Sequence, residues 1–256
     1  MIETEDDNGI RLIRLKGETA STSFSRKSMK IITEAIDSAL TDESVRGFVL
    51  TGEGRFFSAG ADINDFQTSL DEGEIVTLIH DLTGLLHPLL MRMRRSSKIS
   101  VAAINGAAAG GGLGLALACD ARIAGNNAKL AASYAGIGLS PDGGTTWVLP
   151  RLVGEQIAKR FFFDNSIWNS EQALEFGAVD EIAEDPIAVA LDLALKWSRW
   201  SDHTRESTKH LLDSSHDNDF EEHLHHERVL IKAAGCTAEF KEGVSAFLEK
   251  REPDFS

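Results

Sequence analysis

The amino-acid sequence predicts an α/β fold that ends in a helical C-terminal region. Three observations carry this. Strand-like and helix-like segments alternate through the first part of the chain, two glycine-rich turns each follow a strand, and successive helical patterns fill the residues beyond Gly177.

The first strand is marked by Ile10, Leu12, Ile13 and Leu15 and bounded by Gly9 and Gly17. Between Ser25 and Leu40, the apolar residues Met29, Ile32, Ile36 and Leu40 recur at helical spacing, with Ser25 a candidate N-cap. Gly47-Phe48-Val49-Leu50 is a short strand that ends at Thr51-Gly52-Glu53-Gly54. From Glu74 to Arg95, Ile75, Ile79, Leu82, Leu86, Leu89 and Met93 are separated alternately by four and three, which lays one apolar face along a helix. Pro88 lies inside that pattern and predicts a kink or break, because it has no amide donor. Ile99 to Ile104 is a strand apolar on both faces. Helices are expected over 186–199, 202–213, 220–234 and 238–250, and a soft boundary near Trp197 divides a core of residues 1–196 from a helical region of residues 197–256.

A formal net charge of -14 over 256 residues excludes nucleic acid and anionic membrane as main partners, since both require a basic footprint. Val101 to Cys119 carries no charge, but Asn105-Gly106 and Gly110-Gly111-Gly112 interrupt it, so it reads as strand, loop and helix, not as a membrane span. The acidic start lacks a basic region followed by an apolar stretch, and a cytoplasmic protein is expected. Cys119 and Cys236 have no metal-like or redox-like spacing and are expected to be buried, reduced thiols. The spacing of His210, His216, His223, His225 and His226 does not place several imidazoles on one helix face, so no metal site is expected. Arg92, Arg94 and Arg95 read equally as a phosphate-attracting group or a charged helix end, and Trp147 and Phe161-Phe162-Phe163 as core or pocket wall.

The chemistry is concentrated in the two glycine-rich turns. Arg55-Phe56-Phe57-Ser58-Ala59-Gly60-Ala61-Asp62-Ile63 follows one strand, and Asn105-Gly106-Ala107-Ala108-Ala109-Gly110-Gly111-Gly112 follows another and feeds a helix. Small residues let a backbone approach a ligand, and a helix start presents unpaired amides with positive partial charge. Two such turns facing each other would offer two amides to one oxygen, as a thioester oxyanion requires. Tight strand-helix packing explains each turn taken alone equally well. Leu115 stands where a dinucleotide fingerprint needs its third glycine.

Taken together, these turns resemble those of the enoyl-CoA hydratase/isomerase (crotonase) family. Phe56 to Ile63 resembles the first oxyanion loop, and Asn105-Gly106 through Gly110-Gly111-Gly112 to Ala118-Cys119-Asp120 resembles the second. Pro150-Arg151-Leu152-Val153-Gly154, Ala173 to Val179 and Ala246 to Phe255 match later landmarks, so the resemblance covers nearly the whole chain. It implies a crotonase-like spiral of β-β-α repeats with a C-terminal helical trimerisation region, a homotrimer or hexamer, and an acyl-CoA thioester substrate. No cofactor is implied beyond the coenzyme A of the substrate. It also implies an oxyanion hole made by the amides of Ala61 and Gly111, with Ala59, Gly60, Asp62, Ile63, Gly110, Tyr134 and Pro141 at the substrate. The family's early Asn-Arg-Pro and Asn-Ala-Leu motifs are replaced here by Leu15-Lys16-Gly17-Glu18-Thr19 and Ser23-Phe24-Ser25.

Hydratases of the family use two glutamates, and the matching positions hold Gly114 and Tyr134. Gly138-Leu139-Ser140-Pro141-Asp142-Gly143-Gly144 instead resembles enoyl-CoA isomerases and the ring-epoxide isomerases of phenylacetyl-CoA breakdown, in which the acid at this position moves a proton. The expectation is an isomerase that shifts a double bond with Asp142 as its proton shuttle. Three readings stay beside it: Asp142 as the cap of the following helix, Asp142 as a nucleophile as in the superfamily's dehalogenases, and a chain that hydrates or only binds acyl-CoA.

Overall fold

The computed structural model describes residues 1–255. It opens with a hairpin in which β1 (Ile2–Asp7) pairs antiparallel with β2 (Ile10–Leu15) around Asn8-Gly9. Strand β1 is exposed and acidic, and as a sheet edge its charge discourages a further strand from adding. Then follow α1 (Glu18–Ser21), α2 (Arg26–Thr41), β3 (Gly47–Thr51), β4 (Phe56–Ser58), α3 (Ile63–Asp71) and α4 (Ile75–Arg95). Next come β5 (Ile99–Ile104), β6 (Ala107–Ala109), α5 (Gly111–Ala118), β7 (Ala121–Gly125) and β8 (Lys129–Ala131). The chain closes with α6 (Thr145–Val153), α7 (Glu155–Phe163), β9 (Ile167–Asn169), α8 (Ser170–Glu175), β10 (Glu181–Ala183), α9 (Pro186–Ser198), α10 (Asp202–Ser214), α11 (Phe220–Ala234) and α12 (Ala238–Glu249).

The strands divide between two sheets, in the orders β1-β2-β3-β5-β7-β10 and β4-β6-β8-β9. After the opening hairpin, the pairs β3/β4, β5/β6 and β7/β8 each give their first strand to the larger sheet and their second to the smaller one before helical chain returns. The larger sheet is parallel from β2 through β10, and β4, β6 and β8 are parallel in the smaller. This is the β-β-α spiral that the family resemblance implies.

Burial explains the apolar runs. One face of the larger sheet packs on α2 and α4, and the other packs on α9, where Ile10, Leu12, Val49, Val101 and Ile123 meet Ala190 and Ala194. Helix α4 buries Leu78, Leu82, Leu86, Leu89, Leu90 and Met93, each such side chain contributing about 2 kcal/mol. The break expected at Pro88 does not occur: α4 is continuous, because this buried face on both sides of the proline outweighs one missing hydrogen bond. Ser25 caps α2 by accepting from the Ser28 amide at 3.2 Å. The boundary placed near Trp197 falls in the last turn of α9.

Other expectations are corrected. Cys119 is buried, but Cys236 is exposed at the end of α11. Of the three phenylalanines, Phe161 is buried against Trp168, whereas Phe163 is exposed, because consecutive helix residues point to different sides. Arg92 binds both oxygens of Asp37 at 2.8 Å, and Arg94 pairs with Asp213. The Arg94 and Arg151 guanidinium groups also lie over the Trp147 ring, 4.8 and 3.6 Å from its centroid. His210 and His226 place their rings 6.0 Å apart between α10 and α11. Among the described residues no helix is long and apolar enough to cross a membrane.

Candidate active site

The two glycine-rich turns meet because one side chain fastens them. Asn105, at the end of β5, accepts from the Gly52 amide at 2.9 Å and donates to the carbonyls of Gly54 and Phe56 at 3.0 and 3.1 Å. The β3–β4 turn is thereby fixed to the β5–β6 turn. Gly60 has φ of +86°, and a Cβ there would stand 2.8 Å from the Ala109 carbonyl oxygen. Only glycine suits both the angle and that approach.

Phe24 completes the wall. Its amide donates to the Gly60 carbonyl at 3.1 Å, and its ring covers Gly111 so closely that a Cβ there would lie 2.4 Å from the ring edge. A parallel bridge between Phe24 and Ala61 joins the two segments, and the Gly60 carbonyl is engaged by the Phe24 amide. Ala61 precedes α3, and Gly111 is the first residue of α5, where amides lack partners within the helix. Among the described residues, neither amide donates to another main-chain group.

A cavity of about 700 Å³ opens onto these residues. Ala59, Gly60, Ala61, Ile63, Gly110, Gly111, Tyr134 and Asp142 line it, with apolar walls from Phe24, Phe66, Leu82, Leu86 and Leu139. Two residues expected at the substrate, Asp62 and Pro141, are not among the lining residues. Asp62 instead caps α3, accepting from the Asn64 amide at 2.9 Å.

Asp142 is the one carboxylate that lines the cavity among the described residues. It is not the cap of α6: Gly144 takes that position without a side-chain bond. The Asp142 main-chain carbonyl accepts from the Thr145 amide at 3.2 Å and the Thr145 hydroxyl at 2.8 Å, which frees the carboxylate. Its Oδ1 accepts from the Tyr134 hydroxyl at 3.1 Å, and its Oδ2 lies 3.6 Å from Nε2 of His87 on α4. Burial, and then the negative charge of Asp142, push the Tyr134 phenol well above its usual value, so it stays a neutral donor. His87 escaped the sequence reading. Its one signal is a polar residue directly after Leu86 on the buried face of α4, a pattern that usually marks only the edge of a helix stripe.

The position matching a hydratase's first glutamate is closed. A Cβ on Gly114 would lie 2.6 Å from the Gly143 carbonyl oxygen, because the loop that carries Asp142 rests on α5 there.

The model of the enoyl-CoA hydratase/isomerase family matches residues 5–256. The chain belongs to that family. It is 32% identical over 252 residues to 1,2-epoxyphenylacetyl-CoA isomerase of Escherichia coli K12, covering 98% of this chain and 96% of the relative. It is likewise 32% identical over 248 residues to 2,3-dehydroadipyl-CoA hydratase of the same organism, covering 96% and 94%. The crystal structure of an enoyl-CoA hydratase from Polaromonas sp. JS666 superimposes with a TM-score of 0.90 at 28% identity, covering 99% and 98% of the two chains. The two Escherichia coli relatives, one named an isomerase and one a hydratase, are thus equally similar to this chain in sequence.

Proposed function

We propose that this family member is an acyl-CoA isomerase. It shifts a double bond from the 3,4 to the 2,3 position, or carries out a related isomerisation of a ring-bearing acyl group. One observation carries the reading: a single carboxylate, Asp142, faces the cavity onto which the Ala61 and Gly111 residues open, and the two hydratase glutamate positions hold Gly114 and Tyr134. The thioester oxygen accepts from the amides of Ala61 and Gly111, and Asp142 takes a proton from C2. The resulting dienolate is held by those amides, each worth about a hundredfold or more in rate. Asp142 then returns a proton at C4. One acid suffices, because no water is added.

The similarity to 2,3-dehydroadipyl-CoA hydratase favours a second reading, hydration, in which Asp142 acts alone on water. Offering the protein a 3-enoyl-CoA and a 2-enoyl-CoA separates the two. The isomerase conjugates the first and leaves the second unhydrated, and Asp142→Asn abolishes conjugation. Full turnover by that variant would sink the assignment. Binding of both esters without any turnover would mark a chain that kept the fold and lost the chemistry. The exposed apolar residues Phe220, Ile231, Phe247 and Leu248 on α11 and α12 support assembly as a trimer or hexamer through these helices.

A further inference from the structure

The Asp142 carboxylate divides its oxygens between two partners of different kinds. Tyr134 holds Oδ1 from inside the cavity, while Oδ2 stands 3.6 Å from Nε2 of His87. His87 does not line the acyl cavity. It lies behind the Asp142–Gly144 turn, in a neighbouring space of about 470 Å³ lined also by Leu90, Met91, Gly144 and Trp147. The imidazole is 49% exposed, so it meets water on one side and the carboxylate on the other. Other charged groups around this space are Arg94 and Arg95 on α4 and Asp213 on α10, and Arg94 pairs with Asp213. Asp142 is therefore the acid within reach of His87. Imidazole is the side chain that both takes and gives a proton near neutral pH.

We propose that His87 is a positioning residue that connects Asp142 to solvent and exchanges the proton this acid carries. The inference rests on the isomerase reading. In that reaction the C2–H bond breaks, its electron pair enters the dienolate, and the proton binds Oδ2. The carboxylate and the ring then close from 3.6 Å to hydrogen-bond distance, the proton passes to Nε2 with an O–H bond breaking as an N–H bond forms, and the exposed ring trades a proton with water. A proton returns to Oδ2 by the same path, and the new C4–H bond takes whichever hydrogen isotope Asp142 then holds. Atoms and charge balance, and His87 decides where the C4 hydrogen comes from without touching the substrate.

The experiment converts a 3-enoyl-CoA in D₂O and counts deuterium at C4 per molecule of product by mass spectrometry. Counting per product makes the readout independent of the variant's rate. The wild-type product is expected to carry C4 deuterium, His87→Ala and His87→Gln to lose most of it, and added imidazole to restore it in His87→Ala. Equal incorporation by wild type and both variants, or none by the wild type, overturns the proposal. Absence of any conversion by the wild type is a separate outcome, which overturns the isomerase reading and this inference together.

Discussion

Gly143 excludes a side chain from position 114: a Cβ on Gly114 would meet the Gly143 carbonyl oxygen at 2.6 Å. A glutamate at 114 must push aside the turn that holds Asp142. Gly114→Glu is expected to lose about 1–3 kcal/mol of stability to overpacking. It should also lose isomerisation and gain no hydration of 2-enoyl-CoA. Thermal melts and a hydration assay read both outcomes, and a stable, hydrating variant would contradict the account of this contact.

Tyr134→Phe removes the hydroxyl from Asp142 Oδ1 and keeps the buried ring. A hydrogen bond to a charged group is worth about 2 kcal/mol, so kcat should fall by roughly thirtyfold. The KM should change little, because the ring still walls the cavity. Steady-state kinetics with a 3-enoyl-CoA check this.

Acid stability should involve Asp42. It accepts from the Ser44 hydroxyl at 2.6 Å and the Ser44 amide at 2.9 Å, and from Arg11 at 2.9 Å. These contacts, those of Ser44 first, hold its carboxyl at about 2. A carboxyl lowered in the folded state stabilises the fold above its unfolded value of about 3.9 and loses that contribution as pH falls through the folded value. Asp42→Asn should therefore have a lower urea midpoint than the wild type near neutral pH. The gap should close over roughly pH 4 to 2.

Much of this architecture is legible in the sequence, and the exceptions have physical causes. Apolar periodicity places β2, β5, α2, α4 and the four C-terminal helices to within a residue or two of their ends. Strand β6 is three alanines and carries no period to read, and β1 is an acidic edge strand that looks like an unstructured leader. Phe163 misled because it was judged by its own chemistry, when the faces that its neighbours bury decided the outcome; buried faces likewise carry α4 through Pro88 without a break. At the site, the glycine pattern identifies the turns, since close approach leaves a trace in residue type. The contacts of Tyr134 and His87 with Asp142 leave none, because His87 comes from α4 and no pattern shows how the connection between β8 and α6 folds Tyr134 back onto Asp142.

The two thiols should differ in reactivity. Burial pushes the Cys119 thiol up to about 12 and hides it, whereas Cys236 is exposed. Iodoacetamide should add one group to the folded protein, at Cys236, and a second only in denaturant. Intact-mass spectrometry with peptide mapping distinguishes the sites.

Assembly is open to a direct measurement. If α11 and α12 bury their apolar residues against other copies, light scattering should give three or six times the 27.8 kDa chain mass. Phe247→Glu, at a residue 82% exposed in the single chain, should shift that mass downward. A monomeric wild type would refute the expectation.

Asn105 ties together two stretches of main chain, and what they present to the cavity is main chain as well. Every amino acid but proline brings the same N–H, so on the proposed reading a substitution reaches those donors only by displacing main chain, as a side chain at Gly60 would. The acid, by contrast, rides on a separate short turn and is set by one codon. On that reading, replacing the acid would change what the bound thioester becomes and leave the means of activating it in place.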